Sequence, residues 1–216
     1  MSRLLPLFPL QLVVFPGAAV PLHIFEARYR EMVGEAEARG TEFGIVRTIG
    51  EGEDKSIAAM GCAVTVESVV NRYPDGRFDV VTRGRRRFQI LSLDQEKDYL
   101  RGTVEYFDDE ETAPVPPELL NRALEAHERL RQETDPNDQA SSDKADPTRS
   151  DLSFHLAEDI DDLDFRSILL QSRSEPERLR LFAKFAGDYI PRRKYAVHMQ
   201  KKAPMNGSGH KRPPGV

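Results

Sequence analysis

The residue types that carry most enzymatic chemistry are sparse and scattered in this sequence. Five histidines and one cysteine stand among 216 residues, with no cluster at metal-ligand spacing. His127 is followed by Glu128, but position 131 is arginine, so no H-E-x-x-H zinc helix forms. No glycine precedes a lysine, which excludes the phosphate-cradling G-x-x-x-x-G-K-[ST] loop, and there is no G-x-S-x-G nucleophile elbow. His127 and His155 fall on apolar helix faces, where a packed histidine with one hydrogen bond is the expected role. Cys62 lies in an apolar run and reads as a small buried strand residue; a lone thiol forms no internal disulfide. The acidic runs 108–111 and 158–164 read as solvated carboxylates, the second interrupted by Ile160 and Leu163 as on an amphipathic helix. No catalytic residue, metal or cofactor is expected.

Binding chemistry is easier to place. Arg83, Arg85, Arg86 and Arg87 surround Gly84 at a strand entrance, and a basic strand can grip phosphates. Phe78 and Phe88, the aromatics nearby, sit where strand alternation assigns the core face, so a solvated strand edge is expected instead. The formal net charge is −5, with 31% charged and 39% hydrophobic residues. Beyond Asp188 there is no acid and seven positive charges, read as a solvated basic tail. Nucleic acid is not the expected partner.

Proline and strand patterning organise the first half. Residues 4–22 look superficially like a secretory leader, but Pro6, Pro9, Pro16 and Pro21 interrupt the apolar run and only Arg3 precedes it. A membrane span needs about 20 apolar residues. A cytoplasmic protein with no membrane attachment is expected. Residues 3–21 read as short extended pieces joined by proline turns. Phe25, Tyr29, Met32, Val33 and Ala36 then form one apolar stripe, predicting a helix over 25–39 that Gly40 stops. Strands follow near 43–46, 63–73, 77–82, 87–93 and 103–107. The Pro74-Asp75-Gly76 turn joins the second and third of these as a hairpin.

After Pro117 the period becomes helical, with Leu120, Ala123, Leu124, His127 and Leu130 on one face. Residues 134–150 read as a mobile loop, and another helix begins near Ser150 or Asp151. The last helix starts at Ser174, whose partner Glu177 makes a capping box, and Pro191 stops it. The expected class is α+β, divided into a β domain over 1–112, a helical subdomain over 113–190 and a disordered basic tail over 191–216.

The opening segment is the most specific. Pro-Leu-Phe-Pro-Leu (6–10), Val-Phe-Pro-Gly (14–17) and Pro-Leu-His-Ile-Phe-Glu-Ala-Arg-Tyr (21–29) closely resemble the start of the Lon protease N-terminal domain. Gly61, then Pro74 to Phe78, then Gly84, Arg87 and Phe88 match a second landmark of that family. SFHLAEDI (153–160), ILLQ (168–171) and ERL (177–179) add a weaker likeness, so the resemblance covers about residues 4–190. It implies a PUA-like, mainly antiparallel β barrel with an inserted helix, followed by helices. It also implies a module that binds unfolded or exposed segments of other proteins, alone, as a homo-oligomer, or as adaptor to a separate protease. The family's ATPase and serine–lysine peptidase lie outside such a domain, so this chain is not expected to be an enzyme. Tyr73, Pro74 and Phe107, near strand ends and loops, are the candidate protein-binding residues. The alternative is an RNA-binding barrel using the 83–87 strand and the basic tail.

Overall fold

The computed structural model describes residues 3–110, 114–134 and 146–202. Its sheet follows from two long strands that cannot stay flat. Strand β4 (Ser56–Arg72) and strand β5 (Phe78–Asp94) pair antiparallel, Met60 to Arg72 against Gln89 to Phe78, and three register shifts bend the ribbon they form. The other edge of β5 is shared. Its first part pairs with β2 (Ala19–Ile24) and its second with β6 (Arg101–Phe107). Strand β6 continues to β1 (Arg3–Leu10), which pairs in parallel with β3 (Phe43–Ile49), and β3 returns to β4. Strands β5, β4, β3, β1 and β6 therefore close a ring, with β2 attached to β5 on one side only.

Each ring strand sends a side chain inward: Leu5 and Leu7, Val46, Ala63, Phe88, and Val104 make one small buried cluster. The larger core lies outside the ring. Phe8, Phe15, Phe43 and Phe78 pack there against helix α1 (Ala27–Arg39) and the C-terminal helices. Those helices are α2 (Pro117–Thr134), α3 (Leu152–Leu156), α4 (Leu163–Gln171) and α5 (Glu175–Lys202). The α+β arrangement, with a closed sheet ahead of the helices, agrees with the expectation.

Several details differ from it. Strand β5 (Phe78–Asp94) is one strand where two were expected, because the backbone stays extended through the arginines. Helix α1 begins at Ala27, so Phe25 is outside the stripe that buries Tyr29, Met32, Val33 and Ala36. Helix α5 runs through Pro191 to Lys202, although an interior proline removes one backbone hydrogen bond. Residues 191–202 are therefore helical rather than part of a disordered tail; residues 203–216, and 135–145 of the expected loop, lie outside the described residues. Helix α4, which periodicity did not single out, is capped by Asp162, whose carboxylate accepts from Phe165 N at 2.8 Å. Of the expected capping box, Ser174 Oγ accepts from Glu177 N at 3.1 Å, while the Glu177 carboxylate takes the Ser172 hydroxyl at 2.7 Å.

Cys62 is fully buried on β4, and burial pushes its thiol up to about 12. A thiolate is the reactive species. An aromatic disulfide reagent should therefore leave the native protein unlabelled and label it fully in denaturant. Rapid labelling of the native protein would contradict this placement.

Candidate functional site

The start of α1 borders an apolar groove lined largely by the opening segment of the sequence. Glu26 occupies the N-cap position in an extended conformation, φ −69° and ψ 136°, so Phe25 projects before the helix and is 59% exposed. Beside it lies a groove of about 780 Å³, within the usual range for ligand pockets. Its floor carries Phe8 and Tyr29, whose rings stack at 4.1 Å, with Leu10 and Leu22. Pro21, His23 and Phe25 form one wall; Ile57, Leu93 and Leu100 line another part. The charged groups lie at the margins. Arg28 donates twice to Glu26, at 2.9 and 2.7 Å, and Lys55 is exposed. Burial, the largest influence on Tyr29, pushes its phenol up, so it stays neutral beneath the groove.

The predicted site residues separate into two places. Tyr73 and Pro74 sit together on the β4–β5 hairpin, Tyr73 half-buried and Pro74 exposed. The hairpin closes through Tyr73 N to Arg77 O at 2.8 Å, and Gly76 takes φ 85°, a conformation glycine tolerates best. Arg30 of α1 grips its tip, donating to Asp75 O at 2.8 Å. The Tyr73 ring meets His23 edge-on at 5.8 Å, and its hydroxyl donates to Asp79 at 2.7 Å. Tyr73 thus adjoins the groove through His23. Phe107 does not. It is 7% exposed, pairs with Arg87 in the β5–β6 ladder and lies under the guanidiniums of Arg87 and Arg173. Its position at a strand end suggested exposure, but Arg87 and Arg173 cover its ring.

The basic strand is paired internally. Arg83 binds Glu67 and the Gly17 carbonyl, Arg85 donates to Thr65, and Arg86 binds Glu42 at 2.6 Å while covering the Tyr106 ring. Arg87 is 4% exposed and reaches the carbonyls of Leu170 and Ser172 and the carboxylate of Asp109. Asp109 is therefore not simply solvated: it also holds Arg178, itself 1% exposed, whose other partners are Glu175, Ser153 and the Ser172 carbonyl. Asp159 and Asp164 of the second acidic run pair with His127 and Arg47. Among the described residues no group of three or more His, Cys, Asp or Glu could hold a metal ion. No described helix is long and apolar enough to cross a membrane.

Phe8, Leu22, His23, Phe25 and Tyr29 all belong to the opening motif, whose sequence pattern does not mark them as one surface. Nothing in a single sequence distinguishes the exposed Phe25 from its buried neighbours.

The fold, a closed five-strand ring with one inserted helix and a following helical layer, is similar to those of solved Lon N-terminal domains. The Lon N-terminal domain protein from Xanthomonas campestris has a TM-score of 0.63 at 28% identity, covering 82% of this chain and 95% of that one. The N-terminal domain of Mycobacterium avium complex Lon protease shares the fold, with a TM-score of 0.60 at 22% identity over 86% of this chain and 99% of that one. A family profile, that of the ATP-dependent protease La (LON) substrate-binding domain, matches residues 4–184, and the chain belongs to this family. Among full-length relatives, the Lon protease of Flavobacterium johnsoniae is 30% identical over 111 residues, 49% of this chain and 14% of that protein. That of Anaeromyxobacter dehalogenans is 30% identical over 109 residues, 49% of this chain and 13% of that protein. The chain thus matches a small part of the length of these relatives, and the matched family is a substrate-binding domain rather than a catalytic one.

Proposed function

We propose that this chain is a recognition module that holds exposed apolar segments of other proteins in the groove beside Phe25, without breaking bonds itself. One observation carries the reading: an open apolar groove with an exposed aromatic at its wall, built from the family's opening motif. Such a groove excludes water from apolar side chains of an extended segment, and aromatic anchors dominate binding of this kind. Tyr73 and Pro74 extend the surface along the hairpin, and Phe107 plays no direct part. Whether the bound client is passed to a separate protease is a further step of the same proposal.

Phe25→Asp should weaken binding of reduced, carboxymethylated α-lactalbumin at least tenfold, since a charge replaces an apolar anchor (a tenfold change is about 1.4 kcal/mol). The thermal midpoint should stay near that of the native protein, because Phe25 is already exposed. Fluorescence anisotropy with the labelled, unfolded probe measures the first and calorimetry the second. Equal affinity for both proteins would remove the groove from the function. The RNA-binding alternative gains nothing from the arginine strand, where Arg83, Arg86 and Arg87 already face carboxylates.

A further inference from the structure

His23 sits opposite Asp79 in the β2–β5 ladder, at the wall of the groove. Its Nδ1 lies 2.5 Å from Asp79 Oδ1, and Asp79 Oδ2 accepts the Tyr73 hydroxyl at 2.7 Å. Both oxygens of this carboxylate are engaged. The His23 hydrogen bond, followed by that of Tyr73, holds Asp79 below the usual carboxylate range. An ionised carboxylate can only accept, so in the neutral tautomer of His23 that makes this bond the proton lies on Nδ1 and Nε2 is an acceptor. Phe25 stacks on the ring at 6.0 Å and Tyr73 meets it edge-on, fixing its plane. The side chain nevertheless remains 44% exposed. The other charged groups nearby are committed elsewhere: Arg77 to Asp75 and the Tyr73 ring, and Glu26 to Arg28.

An apolar segment entering the groove brings its main-chain N–H groups, and burying one without a partner costs affinity. Among the described residues strand β2 pairs with no strand other than β5, and Pro21, Leu22 and His23 of β2 line the groove. We infer that Nε2 of His23 is the specificity-determining acceptor of the groove, taking one main-chain N–H from an extended apolar protein segment. Asp79 is its positioning residue and Tyr73 supports Asp79. The inference rests on the groove reading above and adds a polar requirement: the ligand must present a donor at one place along its backbone.

The probe is a fluorescein-labelled peptide of ten leucine, valine and phenylalanine residues flanked by lysines, with ten variants each methylated at one backbone nitrogen. Anisotropy titrations use the native protein, His23→Phe, Asp79→Asn and Phe25→Asp. The native protein should lose about tenfold in affinity for methylation at one or two adjacent positions beyond the general effect. His23→Phe keeps an aromatic ring but no acceptor, and should bind the parent peptide several-fold more weakly with the positional penalty gone. Asp79→Asn keeps the imidazole but frees its tautomer, and should reduce the same penalty; it carries the test if His23→Phe does not fold. An identical methylation pattern in the native protein and these variants, with Phe25→Asp still weakened, overturns this inference alone. Full-strength binding by Phe25→Asp overturns the groove reading beneath it.

Discussion

Arg178→Ala is expected to lower the folding stability by about 3–5 kcal/mol, the usual cost of removing one partner from a buried ion pair. For a domain of this size that corresponds to a thermal midpoint lower by roughly 10 °C. The reason is the number of elements the guanidinium joins. From α5 it donates to both oxygens of Asp109, beyond β6; to Glu175 at the start of α5; to Ser153 in α3; and to the Ser172 carbonyl after α4. It also lies over the Phe154 ring at 4.4 Å. Arg87 of β5 shares the Asp109 carboxylate, so the network fastens the ring to the helices. Truncating Arg178 opens a cavity and leaves Asp109 and Glu175 half-buried with fewer donors.

The same cluster predicts an acid sensitivity. Desolvation works to raise the Asp109 pKa, but the hydrogen bond and charge of Arg178, then those of Arg87, outweigh it and hold the carboxyl below its ordinary value. A carboxylate with a depressed folded-state pKa contributes stability that is complete above its unfolded value, about 3.9. That contribution is lost as the pH falls through the folded value. Asp109→Asn should therefore be much less stable than the native protein at pH 7, and the gap should narrow as the pH falls below about 4. Denaturant midpoints across pH 7 to 2 measure this. A gap that stays constant over that range would mean that the charge of Asp109 contributes little. A thermal midpoint of Arg178→Ala equal to that of the native protein would mean that the network does not fasten the two halves.

The second large effect is expected at Gly84. A Cβ there would sit 2.0 Å from the Phe15 carbonyl oxygen and 3.3 Å from Val14 Cγ1. The contact is backbone against backbone, held by Gly84 N to Ala18 O at 2.9 Å and Gly17 N to Gly84 O at 3.0 Å. No rotamer change relieves it. Gly84→Ala must push the Val-Phe-Pro-Gly segment off β5, combining overpacking with the loss of about two hydrogen bonds, roughly 3–5 kcal/mol together. Gly34, inside α1, has nothing within 4 Å of its would-be Cβ. Gly34→Ala should instead stabilise by about 0.5–1 kcal/mol, since alanine loses less backbone entropy in a helix. Urea unfolding of the two variants gives the signs directly; a Gly84→Ala protein as stable as the native one would show that the segment is not pinned there.

These two effects mark what was legible in the sequence. The Gly-X-X-Arg-Phe landmark singled out Gly84, Arg87 and Phe88 without joining the two strands read on either side of Gly84, and alternation assigned Phe88 to the core, where it is fully buried. The hairpin at Pro74-Asp75-Gly76 and the helix stop at Gly40 were equally readable, because turn and cap chemistry is local and acts within a few residues. The same locality failed at Pro191, where a helix-breaking residue lies within α5, and at Phe25, which kept the 3.6-residue spacing yet fell outside the helix.

By itself the sequence determined the β-rich first half and helical second half, the apolar stripes of α1, α2 and α5, the lack of recognisable catalytic motifs and the resemblance to Lon substrate-binding domains. These depend on spacing along the chain. Only the tertiary structure decided that Asp109 and Arg178, 69 positions apart, share one buried ion pair, that Phe107 is covered, and that Phe8, His23, Phe25 and Leu93 border one groove. Burial and charge pairing are set by which elements meet when the sheet closes, and no local period encodes those meetings.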